Sequence, residues 1–338
     1  MRNEVSRQDA KAQRKAINSF FAPLHLCVRF LLVCSFFAVG VRAQDETVRV
    51  ETDLVDLNVT VFSRDPKSLV GQLEQKDFSV MEDGAVQEIS FFASAETPFD
   101  LVLLIDLSGS TKDKLKLIRK SAQSFVDAAR PSDRIAIVTF TDRLDFVSPL
   151  TLDRAVLKER IKKMQKPAGG TNFWDALRYV LETMLSPERT ARRSAVVVMT
   201  DGVDNALPGV RGDGSQTTFE ELLRVVSRSD SIVIPIYLDT EREMKEDRRM
   251  TYSELAYQMA QRQLQELAVE SGSNAYYARK VEDLKDVYQQ VIRDLSTVYS
   301  IGYRPSNTAR DGSWRAVRVQ LTRRPDLAAR TRRGYYAK

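Results

Sequence analysis

Three short polar motifs stand out in a chain otherwise poor in reactive side chains. Asp106-Leu-Ser108-Gly-Ser110 follows the apolar run Leu101 to Ile105, and Thr200-Asp201-Gly202 follows the run Ala195 to Met199. Between them, Gly169-Gly-Thr171-Asn172 leads into a stretch with helical spacing. Their chemistry-bearing side chains are all oxygen donors: the carboxylates of Asp106 and Asp201 and the hydroxyls of Ser108, Ser110 and Thr171. Oxygen-only ligation suits a hard dication, Mg²⁺, Mn²⁺ or Ca²⁺, rather than zinc or copper. Each motif alone is common. The information lies in all three falling at one edge of a single expected sheet, where ligands of open α/β sheets bind.

The positions of the rare residues exclude most other chemistry. Both cysteines, Cys27 and Cys34, and the only histidine, His25, lie within residues 1–43. That stretch reads as a signal peptide. A basic, polar region runs to about Asn18, an apolar run spans Phe30 to Val41, and Val41-Arg-Ala43 offers small residues before Gln44. The run is short of the ~20 residues of a membrane span, and an uncut signal anchor is the alternative. After residue 43 there is no disulfide, no His/Cys zinc site, no Ser-His-Asp triad and no thiol nucleophile. The leader's Arg2, Arg7, Lys11, Arg14, Lys15, Arg29 and Arg42 outweigh Glu4 and Asp9 by as much as the whole chain's +5. The remainder is thus near neutral, and net charge gives no reason to expect nucleic-acid binding.

The elements that must position the motifs follow from periodicity. From residue 98 to 298, unbroken runs such as Leu101–Ile105, Ile135–Val138, Ala195–Met199 and Ile232–Tyr237 alternate with helical patterns. The helices are expected near 112–130, 153–164, 173–185, 218–229, 253–270 and 281–297. This predicts a doubly wound, mostly parallel α/β sheet covered on both faces. The ends read differently. Val55 to Phe62 and Ala316 to Leu321 alternate apolar and polar residues, and Phe78–Met81 and Gln87–Phe92 flank a hairpin signal at Asp83-Gly84. Isolated hairpins are marginal in water, so the segments 44–97 and 299–338 are expected to pair into a small β-sandwich, with 98–298 inserted between them.

On these residues the chain resembles the von Willebrand factor A domain family and its metal-ion-dependent adhesion site. Asp106-Leu-Ser108-Gly-Ser110, Thr171 and Asp201-Gly202 match its three-part motif in order and spacing, over about 98–298. The flanks, Val80 to Phe91 and Arg333-Gly-Tyr-Tyr336, look like those of exported bacterial relatives common in acidobacteria. The resemblance implies that Ser108 and Ser110 bind the metal directly. It implies that Thr171, Asp106 and Asp201 do so directly or through water. Two carboxylates against a dication leave the site near neutral and a sixth coordination position open to a partner's Asp or Glu. The expected function is therefore an exported, metal-dependent protein-binding module, periplasmic or extracellular, and not an enzyme. The alternatives are an envelope scaffold working through its sandwich and, with less support, a metal-dependent hydrolase. The sequence leaves the oligomeric state open.

Other features are read more plainly. Asp204, Asn205 and Asp239 are expected as solvated loop residues on the site's rim. The Val203–Thr217 loop overhangs the site, and within it Arg211-Gly212-Asp213 spells an integrin-recognition tripeptide short enough to arise by chance. Asn58-Val-Thr60 matches a glycosylation acceptor but falls in an expected strand. Trp174 is assigned to the core. The run Glu241 to Arg249 is expected as a solvated charged insertion.

Overall fold

A strand apolar at every position needs cover on both faces, and one with alternating apolar residues needs it on one. Both kinds occur in the computed structural model, which describes residues 54–64, 70–111, 114–165, 169–185, 192–241 and 252–337. The side chain of Ser110, residues 1–43 expected as a signal peptide, and the charged run after Glu241 lie outside the described residues. The chain begins with β1 (Val55–Ser63), β2 (Phe78–Glu82), β3 (Ala85–Gln87) and β4 (Ile89–Ala93). Next come β5 (Phe99–Asp106), α1 (Leu115–Ala128), β6 (Arg134–Phe140), β7 (Leu144–Thr151), α2 (Arg154–Lys162) and α3 (Phe173–Tyr179). They are followed by β8 (Arg193–Thr200), α4 (Phe219–Arg228), β9 (Ile232–Leu238), α5 (Glu254–Glu270), β10 (Tyr276–Ala278) and α6 (Leu284–Leu295). The chain closes with β11 (Val298–Tyr303), β12 (Trp314–Leu321), β13 (Leu327–Arg330) and β14 (Gly334–Tyr336).

Six strands form the central sheet in the order β10-β9-β8-β5-β6-β7. All neighbours are parallel except β6 and β7, which pair antiparallel. Every residue of β5 and of β9 is buried. Alternate residues serve opposite faces. Leu101, Leu103 and Ile105 pack with α1, α2 and α6, whereas Val102 and Leu104 pack with α3, α4 and α5. Each such side chain contributes roughly 1.5–3 kcal/mol by leaving water, so the runs commit these strands to the middle of the sheet. The helices carry local start signals as well. Asp153 accepts the Val156 N–H at 3.0 Å ahead of α2, Thr218 and Glu221 form a capping box at α4, and Ser253 caps α5.

The strand order fixes where a ligand can sit. From β5 the chain moves to β6 and β7 on one side, then crosses back to place β8 on the other. The crevice of this switch opens between the carboxyl ends of β5 and β8. Asp106 ends β5 and Asp201 follows β8.

The ends of the chain form two further sheets, β13-β1-β11-β4 and β14-β12-β2-β3. β1 pairs antiparallel with β11 from Val55↔Tyr303 to Thr60↔Val298, so the strand before the inserted unit is bonded to the strand after it. The expected alternation holds along β1: Leu57, Val59 and Val61 meet Val80, Ile301 and Val319 in a separate apolar core. One expectation fails in detail. Gln87 to Phe92 is not a single strand paired with β2. The hairpin uses only β3, and after Glu88 the chain changes sheets, so that β4 pairs with β11. Gln87 anchors the crossing, bonding the Ser306 N–H and hydroxyl at 2.8 and 3.0 Å.

Arg193, at the start of β8, holds the junction between the sandwich and the central sheet. Its guanidinium donates to the carbonyls of Ala95 (2.8 Å), Thr97 and Val298 and lies 4.3 Å from the Phe99 ring centroid. Burial, together with the charge of Arg130, depresses it to about 9. Both chain crossings, inward through residues 95–98 and outward at Val298, are thus tied to one buried cation.

Candidate metal centre

Asp106 is wholly buried, and both of its oxygens are engaged. Oδ1 accepts the Ser108 N–H at 2.8 Å, and Oδ2 accepts the Thr200 hydroxyl at 2.6 Å. Thr200 in turn accepts the Gly202 N–H at 2.9 Å. The turn after β5 is a short 3-10 segment, Gly109–Thr111, in which the Thr111 hydroxyl donates to the Ser108 carbonyl at 3.0 Å. Ser110 lies in this segment.

Asp201 is 2% exposed; its Oδ1 accepts the Val203 N–H at 3.2 Å and its Oδ2 the Thr240 hydroxyl at 2.8 Å. Gly202 follows with φ +74, and a Cβ there would meet Leu264 Cδ1 at 3.0 Å. The position therefore needs glycine on both counts.

Thr171 is brought to the same edge by its loop. The Gly109 N–H donates to the Gly169 carbonyl at 3.4 Å, joining the loop to the turn after β5. Asn205 pairs with Thr171 in both directions: its Oδ1 accepts the Thr171 N–H at 3.2 Å and its own N–H donates to the Thr171 carbonyl at 2.9 Å. A Cβ on Gly170 would stand 2.3 Å from Asn205 Nδ2, so a larger residue here would displace the Asn205 amide.

The two carboxylates are electrostatically coupled. Burial pushes Asp106 up to about 7, with the negative charge of Asp201 adding to the rise and hydrogen bonds from Thr200 and Ser108 opposing it. The phenols of Tyr237, Tyr252 and Tyr257 are raised first by burial and further by nearby charge, that of Asp239 and then Asp201 at Tyr237 and that of Asp201 at the other two. Among the described residues no group of three or more His, Cys, Asp or Glu gathers to hold a metal. A cation here would take two carboxylates plus hydroxyls, an all-oxygen set of low net charge that fits a hard dication. Two buried carboxylates in mutual repulsion are the feature such an ion relieves.

Asp204 and Asn205 correct the sequence reading: they are buried, not solvated. Asp204 accepts the Trp174, Ala206 and Ser215 N–H groups at 3.0, 2.8 and 3.0 Å and the Ser215 hydroxyl at 2.6 Å. It ties α3 to the Val203–Thr217 loop. Asp239 is half-buried and accepts the Tyr277 hydroxyl at 2.6 Å. Asn58 lies in β1 with its amide donating to the Asp230 carbonyl at 2.6 Å, and Trp174 is in the core as expected. The sequence reading quoted Thr200 only as a neighbour of Asp201, placed Asn205 on the rim as a solvated residue, and did not single out Thr240. Their one local signal is a polar residue at or just past the carboxyl end of a buried strand.

The chain belongs to the von Willebrand factor type A domain family, which it matches over residues 100–290. No curated protein matches the sequence. Among solved structures it is similar to proximal thread matrix protein 1 of the mussel byssus, at 16% identity and TM-score 0.45, over 59% of this chain and 48% of that one. It is also similar to the von Willebrand domain of the type V pili tip protein Mfa5 from Porphyromonas gingivalis. That match has 15% identity and TM-score 0.44, over 58% of this chain and 94% of the other. BatB from Bacteroides thetaiotaomicron matches at 15% identity and TM-score 0.43, over 59% and 98% of the two chains. The chain thus spans about half the length of the mussel protein.

Proposed function

We propose that this chain is an exported, metal-dependent protein-binding module whose ion is held by Asp106, Ser108, Ser110, Thr171 and Asp201 and completed by a carboxylate of a protein partner. The ion is Mg²⁺, with Mn²⁺ or Ca²⁺ as substitutes of the same oxygen preference. The observation that carries the reading is the buried pair Asp106 and Asp201, held by donors yet left with mutual repulsion at the sheet's switch point. When bound, the dication supplies an electrophilic position for an incoming carboxylate.

The chain's own residues do the rest. Thr200 and Thr240 orient the two carboxylates, Asn205 fixes the Thr171 backbone, and the Gly170 approach keeps that loop against the site. The reading includes residues 1–43 as a signal peptide, 98–298 as the binding domain and 44–97 with 299–338 as its supporting sandwich. It puts the protein in the periplasm or outside the cell. Among the described residues no helix is long and apolar enough to cross a membrane. No catalytic role is assigned, because no histidine or cysteine follows the leader and the two site carboxylates are committed to the ion.

The test is a pull-down from envelope extract in Mg²⁺ against EDTA, comparing wild type with Asp201→Ala. Partner capture is expected only for wild type in Mg²⁺. Capture that survives both EDTA and the substitution would refute the mechanism.

A further inference from the structure

The loop over the site carries one acidic side chain that the fold itself does not use. Asp204 spends its carboxylate inside the loop, and Asp175 accepts the Gln216 and Thr217 N–H groups at 2.9 Å each. Asp213 is exposed, and among the described residues its carboxylate has neither a hydrogen bond nor an ion pair.

Its backbone, by contrast, is firmly held. Gly212 has φ +103, and a Cβ there would lie 2.7 Å from Asn205 Nδ2; a Cβ on Gly214 would lie 1.9 Å from the Ala206 nitrogen. Both glycines are needed for the loop to press this closely on Asn205 and Ala206. On the other side, in the orientation its neighbours favour, the Asn172 amide would donate to the carbonyls of Asp213 (3.0 Å) and Thr171 (3.2 Å) in place of the Asp142 carbonyl at 3.4 Å. One amide joins the residue with the unused carboxylate to the residue with the ligating hydroxyl.

We propose that Asp213 is the carboxylate which a second copy of this chain offers to the metal centre, so that the protein self-associates through two reciprocal contacts about a two-fold axis. The proposal rests on the metal-binding reading above. An isologous contact needs donor and acceptor on one patch, so that each copy gives what the other receives. Asp213 and Thr171, linked through Asn172, meet that need. The held backbone lowers the ordering cost of presenting the carboxylate. One charged pair could add to the contact. Arg211 is exposed, while Asp142 is exposed beside the Thr171 loop, its Oδ1 3.0 Å from the Cβ position of Gly169. Asp142 also pairs with Arg143 at 3.7 Å and accepts the Thr141 hydroxyl at 2.8 Å, so a second copy's Arg211 would share it with Arg143.

Sedimentation of the purified chain across protein concentrations, in millimolar Mg²⁺ and in EDTA, tests this, with Mg²⁺ uptake measured in parallel by calorimetry. Wild type is expected to rise toward twice its mass in Mg²⁺ and to return to monomer in EDTA. Asp213→Asn is expected to bind Mg²⁺ like wild type and to remain monomeric. Wild type that binds Mg²⁺ but stays monomeric at every concentration overturns the proposal and leaves the metal-binding reading intact. The same holds if Asp213→Asn associates as wild type does, or if monomeric wild type retains a different envelope protein in Mg²⁺. Absence of Mg²⁺ uptake by wild type would sink the underlying reading and this proposal with it.

Discussion

Removing the ion should expose the repulsion between Asp106 and Asp201 as a pH-dependent instability. In the metal-free protein Asp106 titrates near 7, above its ordinary value of 3.8, because it is buried beside another carboxylate. A group raised in this way contributes stability in full below its unfolded value and loses that contribution as pH rises through the folded one. Between pH 7 and pH 5 the folded state holds a proton that the unfolded state has released, and each unit adds about 1.4 kcal/mol. The metal-free protein should therefore gain about 3 kcal/mol on going from pH 8 to pH 5, a Tm increase on the order of 6 °C. Few other groups intrude. No histidine follows residue 43, and Asp100, held low despite its burial by hydrogen bonds from Arg134 and Arg192, titrates below this interval in both states. Asp294 and Glu270 are raised by burial and act in the same direction, so Asp106→Asn is the control that isolates the pair. Thermal melts in EDTA at pH 5 and pH 8, for wild type and Asp106→Asn, are the assay. Saturating Mg²⁺ should abolish or invert the trend, since protons compete with the ion for the carboxylates. An EDTA melt that is equal or higher at pH 8, or an Asp106→Asn slope as steep as wild type, would refute the reasoning.

Two further substitutions probe the supports of the site and of the junction. Gly170→Ala puts a Cβ 2.3 Å from Asn205 Nδ2 and should cost about 1–3 kcal/mol in urea unfolding. By displacing Thr171 it should also weaken Mg²⁺ uptake by about tenfold in calorimetry. Arg193→Met takes the guanidinium from the Val298 carbonyl, while Ala95 and Thr97 keep Arg130 as a second donor, and should lower stability by about 1–3 kcal/mol in the same unfolding assay. Metal affinity should remain near wild type, because Arg193 begins β8 and the site lies beyond its other end.

Much of this protein was legible one stretch at a time. Continuous runs such as Leu101 to Ile105 and Ala195 to Met199, alternating with helical patterns, read as central parallel strands, since helices on both sides then cover both faces. The residues after such strands then mark the ligand edge. The local pattern misled where two readings share one signal. Gln87 to Phe92 looks like a hairpin strand, yet β3 and β4 belong to different sheets, a division made by the partners β2 and β11 rather than by the segment itself. Asp204 and Asn205 look like polar loop residues, yet they are buried because Trp174, Ser215 and Thr171 supply bonding partners far along the chain.

The sequence by itself determined which residue types are available, oxygen donors in three motifs and no histidine or cysteine after residue 43, and the alternation of strands and helices, because composition and periodicity are properties of the chain alone. The tertiary structure decided which hydroxyls hold the carboxylates. Thr200 reaches Asp106 from 94 positions away, and Thr240 reaches Asp201 from 39. Pairings at such separations are set by strand order and register, and no local pattern encodes them.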